Sequence, residues 1–328
     1  MTAKSFLPGA FALHLAAIAA AFLPAAAGAQ PVPPQGTASD SSAASAPAKD
    51  GETLPASAKK RKPKKDVVYL TEWPKPADKA AVALDIERLC KARTPEMAIQ
   101  AREALEAAGE ATVPFLLERL GKERDEAAVK RVREVLITTT NAAHTRLLAK
   151  EFESRSAVTR TFVLWRCAAF PDPQIRPAAE AAWARLGKLG DKAEPDELYA
   201  AALCAASTGS IAGLEVLHAA AQKNWERRGV EIRAAVAGAR GPEATKVEVK
   251  KFEGADQKQK VAVLRMLAGC GDASALPPIR KYLDDDDNQI RVAAINACRG
   301  IVDGAPPEEQ LPVFEAIELA KKWKERVW

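Results

Sequence analysis

The feature that most constrains this chain is a short sequence pattern that recurs along its C-terminal part. The segments 232–235, 259–262 and 290–293 align without gaps and begin 27 and 31 residues apart. A fourth segment, 175–178, begins 57 residues before the first, which is about two such intervals. A repeat of this length is one helical hairpin, and each hairpin covers the apolar faces of its neighbours. The sequence therefore predicts an α-solenoid over residues 78–328.

The apolar residues within these repeats follow the helical period. In 113–120 and 290–301 they recur at i, i+3, i+4 and i+7, as they do on one buried helical face. A capping residue followed by Pro, as in Thr94-Pro95, is typical of helix starts. Strand-like alternation is nearly absent, and aromatic residues make up only 5% of the chain. We therefore expect an all-α fold with essentially no strand.

A family resemblance appears in the segment 276–294. There LPPIRKYL is followed by the acidic turn DDDD and by NQIRVAA. This string resembles the HEAT repeat, particularly the short form found in phycobilisome-lyase-type proteins. The resemblance implies an outer helix, an acidic turn, and an inner helix opened by a hydrophobic, a basic and a small residue. It is clear over 255–302, partial over 95–190 and 230–254, and poor over 191–229.

The resemblance also implies structural roles for seven polar residues. In the family, an Asp four residues before a basic residue caps the inner helix, and the basic side chain reaches the neighbouring turn. The matching positions are Asp172, Arg176, Arg233, Asp256, Lys260, Asp287 and Arg291. Arg233 lacks the acidic residue four positions before it. We expect these residues to have structural roles.

The N-terminus has the form of a secretory signal peptide over residues 1–29. Lys4 precedes an apolar stretch at 10–23, and Pro24 and small residues lead to a cleavage site near Ala29. An uncleaved membrane anchor is the alternative, although this stretch is shorter than the roughly 20 residues of a spanning helix. The sequence predicts an exported protein of the periplasm, the cell envelope or the extracellular space.

Residues 30–77 are expected to form a disordered linker, because they are rich in Pro, Ser, Ala, Gly and Lys and poor in large apolar residues. A basic run within it consists of Lys59, Lys60, Arg61, Lys62, Lys64 and Lys65. Such a run binds an anionic envelope polymer or a membrane surface, or it is only a solvated spacer. Beyond residue 66 the chain has 40 basic and 39 acidic residues, and this balance argues against nucleic acid as a partner.

No sequence pattern of catalytic residues is present. The three His residues form no HExxH or His-Cys pattern, and P-loop, GxGxxG and GxSxG motifs do not occur. We therefore predict no cofactor, no metal and no enzyme activity. The acidic run 284–287 lacks the alternating ligands of a calcium loop and fits an inter-helix turn. The five widely spaced Cys fit buried thiols, with oxidation of Cys270 and Cys298 as the alternative.

Tryptophans are the residues most informative about binding, since Trp is enriched at interface hot spots. Trp165, Trp183 and Trp225 lie within predicted helices, where core packing and partner contact are both open. Trp323 and Trp328 lie in a basic, amphipathic C-terminal segment. They either cap the last repeat or contact a partner or a membrane.

Three functions follow from these patterns. The first is a non-enzymatic scaffold that binds a protein partner on the concave surface lined by the second helix of each hairpin. The second is an envelope or cell-surface adaptor that binds through its basic linker and uses the repeats as a spacer. The third, a lyase-like chromophore-handling protein, is implied by the family resemblance alone.

Overall fold

The computed structural model describes residues 67–308 and 310–326. All regular elements in these two ranges are helical, and the same ranges contain no strand. The predicted signal peptide, the basic run and Trp328 lie outside the described residues. The α-helices are α1 Lys79–Lys91, α2 Pro95–Ala108, α3 Val113–Lys122, α4 Glu126–Thr139, α5 Thr145–Ala149, α6 Ala157–Ala169, α7 Arg176–Leu189, α8 Pro195–Ser207, α9 Leu214–Val236, α10 Pro242–Lys250, α11 Gln257–Cys270, α12 Leu276–Arg280, α13 Asn288–Cys298 and α14 Val313–Arg326.

The helices form hairpins that pack in the order of the sequence. Asn224 has non-helical backbone angles (φ −138°, ψ 33°), so α9 is a first and a second helix joined at a kink. The second helices contact one another in succession: α6 packs on α8, α8 on α9, α9 on α11, and α11 on α13. Helix α14 packs on α13 and ends the array. The predicted all-α fold of stacked helical hairpins is confirmed.

The register of the repeat differs from the prediction at two places. Segments 259–262 and 290–293 both lie near the starts of second helices, α11 and α13. Segment 175–178, in contrast, begins the first helix α7, and 232–235 lies near the end of α9. First and second helices both bury one apolar face, so similar short patterns occur on both kinds of helix. The alignment over these two segments was therefore wrong.

Glycines allow successive second helices to approach closely. A Cβ at Gly300, just after α13, would collide with the carbonyl oxygen of Ala268 on α11. A Cβ at Gly238, just after α9, would likewise collide with the carbonyl oxygen of Ser207 at the end of α8. Any larger residue at either glycine would push the stacked helices apart.

Arginines join the hairpins through carbonyl groups at helix ends. Arg131 on α4 donates to the carbonyl oxygen of Leu89 near the end of α1 at 2.8 Å. Arg166 on α6 donates to the carbonyl oxygen of Ile137 near the end of α4 at 2.6 Å. Burial lowers the pKa of Arg166 to about 10. The last carbonyls of a helix lack partners within it, so these guanidinium groups satisfy acceptors that stacking would leave buried.

Residues 67–77 contact the helical array, although they were expected in the linker. The backbone N–H of Leu70 donates to the carbonyl oxygen of Ala143 at 2.9 Å. The ring of Trp73 stacks on His144, with ring centres 5.4 Å apart. The packed part of the chain therefore begins before residue 78.

The five cysteines are all buried free thiols. Burial raises the pKa of Cys204, Cys270 and Cys298 to about 12 each, so these thiols stay protonated and unreactive at neutral pH. This state fits the interpretation of the cysteines as small apolar packing residues, and the structure contains no Cys270–Cys298 bond.

A buried carboxylate connects three helices. Glu197, in the first turn of α8, is only 1% exposed. Its two oxygens accept from Arg160 on α6 at 2.6 and 2.8 Å, and one also accepts from Arg185 on α7 at 2.7 Å. Two guanidinium groups therefore compensate for the loss of water around this charge.

We expect Glu197→Ala to reduce the free energy of unfolding by about 3 kcal/mol, because two arginines would lose their shared partner in a poorly hydrated site. Urea unfolding at neutral pH measures this change. The control is Glu194→Ala, one turn earlier, where the exposed side chain forms no capping hydrogen bond; its effect should stay within about 0.5 kcal/mol. Equal effects of the two substitutions would contradict the structural role of Glu197.

Candidate functional site

A cluster of aromatic and charged side chains lies on the second helices α6, α8 and α9. Tyr199 on α8 donates its hydroxyl hydrogen to Glu231 on α9 at 2.7 Å. The guanidinium group of Arg228, one turn before Glu231, lies 3.9 Å from the centre of the Tyr199 ring. Trp165 on α6 also lies close enough to Glu231 to act against the rise in the pKa of its carboxyl group. We call these four residues the Tyr199 cluster.

Burial sets the protonation behaviour of this cluster. It raises the pKa of the Glu231 carboxyl, although the donors on Tyr199 and Trp165 and the charge of Arg228 act in the opposite direction. Burial, together with the adjacent charge of Glu231, also raises the pKa of Tyr199 well above its usual range. Tyr199 therefore keeps its hydroxyl hydrogen and remains a donor to Glu231.

A second cluster joins α9 to α11. The ring of Trp225 folds back over Gly229, where a Cβ would lie only 2.8 Å from the nearest ring atom. The guanidinium group of Arg233 lies 5.6 Å from the ring centre, and that of Arg265 on α11 lies 4.9 Å from it. These four residues form the Trp225 cluster. Its geometry is that of cation–π contacts, which hold both arginines against the indole.

The two clusters share helix α9, which carries Arg228 and Glu231 of the first and Trp225, Gly229 and Arg233 of the second. Arg227 and Val230 project beyond them into solvent, and Val230 is 54% exposed. We call the two clusters and these two residues the second-helix face. Trp, Tyr and Arg are the residue types that most often dominate binding energy at protein interfaces. Their stacking on one another orders them before any partner arrives, which lowers the entropy cost of binding.

Two of the predicted capping residues occupy the expected positions. Asp256 accepts from the backbone N–H of Gln259 at 2.8 Å, and the Gln259 side chain accepts from the N–H of Asp256 at 2.9 Å. Asp287 caps α13 by accepting from the N–H of Gln289 at 2.6 Å. Arg291 donates to the carbonyl oxygen of Asp285 at 2.8 Å, in the turn before its own helix. Each of α11 and α13 therefore begins with a capping Asp, and a basic residue follows four positions later.

The pair Asp172 and Arg176 is arranged differently. Asp172 caps only the short 3-10 turn before α7 and forms an ion pair with Arg146 of the preceding hairpin at 2.6 Å. Arg176 pairs with Glu180 on its own helix at 2.9 Å. The reason is the register: this pair opens a first helix, whereas the family motif opens a second one.

The remaining predicted residues contact aromatic rings or belong to the core. Arg233 joins the Trp225 cluster, and Lys260 lies over the ring of Tyr282 at 6.0 Å. Trp323 is 4% exposed and packs within the core around α13 and α14. The half-buried Trp165 packs against two of the core clusters.

Sequence reasoning missed Tyr199, Arg228 and Glu231. The segment 225–233 does contain a local signal, since Trp and three Arg occur within nine residues. Nothing in the sequence shows, however, that Tyr199 lies opposite Glu231, because that contact depends on how α8 and α9 pack.

The two histidines of the described region each contact one glutamate. The Nε2 atom of His144 lies 2.8 Å from Glu110, and the Nδ1 atom of His218 lies 2.8 Å from Glu248. Across 67–308 and 310–326, no three His, Cys, Asp or Glu side chains come together in a way that could hold a metal ion. None of the helices in these ranges is both long enough and apolar enough to span a membrane. No family model and no curated protein matches the chain.

We expect the stability of the Glu231→Gln variant, relative to that of the wild type, to increase as the pH rises. The raised pKa means that the folded protein holds this proton more tightly than the unfolded chain, so the wild type loses stability as the pH increases above the ordinary value of 4.5. The neutral amide does not titrate and escapes this loss. Urea unfolding of both proteins at pH 4 and pH 8 measures the difference.

The control for this experiment is Glu226→Gln, an exposed position on the same helix. Its stability relative to the wild type should show no comparable change with pH. If the stability of Glu231→Gln differs from that of the wild type by the same amount at pH 4 and at pH 8, burial does not control the ionisation of Glu231.

Proposed function

We propose that this chain is an exported, non-enzymatic scaffold of the HEAT-repeat type that binds a protein partner on its second-helix face. The observation that carries the proposal is the pair of ordered Trp, Tyr and Arg clusters on adjacent second helices. Each further step below rests on a separate property of the molecule.

The assignment to the HEAT type rests on the geometry around α11 and α13. Both second helices begin with a capping Asp, and both carry a basic residue four positions later. Stacking of second helices in sequence order is the packing that a solenoid of helical hairpins requires. These features support the resemblance where the sequence match is clearest.

The nature of the partner follows from the chemistry of the face. The face carries positive charge from Arg228, Arg233 and Arg265 and a carboxyl group from Glu231. Asp196 on α8 adds a second carboxyl group 3.9 Å from Arg228. This mixed surface, with aromatic rings between the charges, suits a folded protein or a peptide better than a uniformly charged polymer. An extended face of this kind supports many contacts and needs no deep pocket.

A second candidate function is an adaptor that binds an anionic envelope polymer or a membrane surface through the basic run. The observation in its favour is the attachment of residues 67–77. Trp73 stacks on His144, and the ring of Tyr69 lies 3.8 Å from the guanidinium carbon of Arg146. These contacts hold residues 67–77, which directly follow the basic run in the sequence, against the helices.

We expect the double variant Arg227→Glu/Val230→Glu to lose the partner in crosslinking and affinity capture from the native host. It places two carboxylates on the exposed part of the second-helix face, where they repel the partner and remove apolar contact. Both residues are exposed, so the melting temperature should change little.

The matched control is Lys188→Glu/Leu189→Glu, which makes the same charge change at exposed positions on the first helix α7. This control should retain the captured protein. Equal capture by the two variants would place the partner elsewhere on the molecule.

We expect the mature protein to begin at Gln30 and to keep its partner when residues 57–66 are deleted. N-terminal peptide mapping of the protein purified from its host measures the first expectation, and capture with the deletion variant measures the second. An intact leader would contradict export by cleavage. Loss of the partner on deletion would favour the adaptor over the scaffold.

A further inference from the structure

A cleft of about 400 Å³ opens beside the turns of two neighbouring hairpins. One wall comes from Phe252, in the turn between α10 and α11, and from Lys260 in α11. The other comes from Lys281, Tyr282 and Asp285, which follow α12. None of these residues belongs to the second-helix face, so the cleft is independent of the proposed function.

Two ammonium groups converge on one ring in this cleft. The Nζ atom of Lys281 lies 4.9 Å from the centre of the Tyr282 ring, and that of Lys260 lies 6.0 Å from the same point. Neither ammonium group forms an ion pair with a carboxylate in the part of the chain that the structure describes. Their charges are therefore available to an anion that enters the cleft.

The apolar side of the cleft is rigid. Tyr282 is 4% exposed, and its ring centre lies 4.6 Å from that of Phe252. A packed aromatic pair holds the two lysine side chains over a fixed surface, so less side-chain entropy is lost when both contact one ligand.

Asp285 adds a hydrogen-bond acceptor to the wall. Its Oδ1 atom accepts from the backbone N–H of Asp287 at 3.0 Å. The second carboxylate oxygen can then accept from a hydroxyl group. This acid also disfavours a simple anion, because its charge lies near the site that the two lysines create.

We propose that this cleft binds a small hydroxylated organic anion. The oxyanion group, a phosphate monoester or a carboxylate, lies between Lys260 and Lys281, and a hydroxyl group donates to Asp285. The carbon skeleton lies against Phe252. A volume of about 400 Å³ falls within the range of roughly 300–1,000 Å³ that small-molecule sites occupy.

Isothermal titration calorimetry of the full chain at constant ionic strength tests the proposal. The probes are glycerol 3-phosphate, gluconate and inorganic phosphate. Saturable binding of glycerol 3-phosphate but not gluconate assigns a phosphate monoester, and the reverse assigns a carboxylate. Lys260→Gln/Lys281→Gln should weaken the bound probe about tenfold or more, because two charge-assisted hydrogen bonds are lost.

The control is Lys258→Gln, which removes a lysine from the same turn of α11 at an exposed position outside the cleft. It should bind as the wild type does. Asp285→Ala should reduce the preference for glycerol 3-phosphate over inorganic phosphate, since only the former has hydroxyl groups. Equal weakening by the Lys258 and Lys260/Lys281 variants, or no saturable binding of either organic probe, would overturn the proposal.

Discussion

The whole structure depends on the stacking of second helices, because no hairpin can bury its own apolar face. Helix α8 shows this dependence most clearly: every residue from 200 to 207 is buried, covered by hairpins on both sides. An isolated hairpin with such a helix would expose this surface to water. The fold is therefore a property of neighbouring units together, and so are the side-chain clusters on α8 and α9.

Stacking also buries polar groups, and side chains between the hairpins form hydrogen bonds with them. Packing helix ends against the next unit would leave carbonyl groups without water, and Arg131 and Arg166 donate to them. The buried Glu197 is satisfied in the same way by Arg160 and Arg185. Apolar faces alone would tolerate a shift along the helix axis. These directional bonds form at only one offset, so they define how successive hairpins meet.

The features that sequence reasoning predicted are those with a local cause. Helical periodicity specifies the all-α fold, and a cap such as Asp287 satisfies N–H groups only a few residues away. The kink at Asn224 has no Pro or Gly beside it to mark it, so the hairpin within α9 was not recognised. The contact between Tyr199 and Glu231 spans 32 residues and depends on the packing angle of two helices. No sequence pattern within one repeat encodes that angle.

Equivalent basic residues take different roles in two successive second helices. Lys260 and Arg291 occupy the same position in successive second helices, four residues after the capping Asp. Arg291 donates to a carbonyl oxygen of its own preceding turn and so stabilises that turn. Lys260 instead lies over Tyr282 of the next hairpin and leaves its ammonium group at the edge of the cleft. Because neither basic residue caps its own helix, each can take a different role in its repeat. The repeated backbone can therefore carry binding chemistry in one unit that its neighbour does not share.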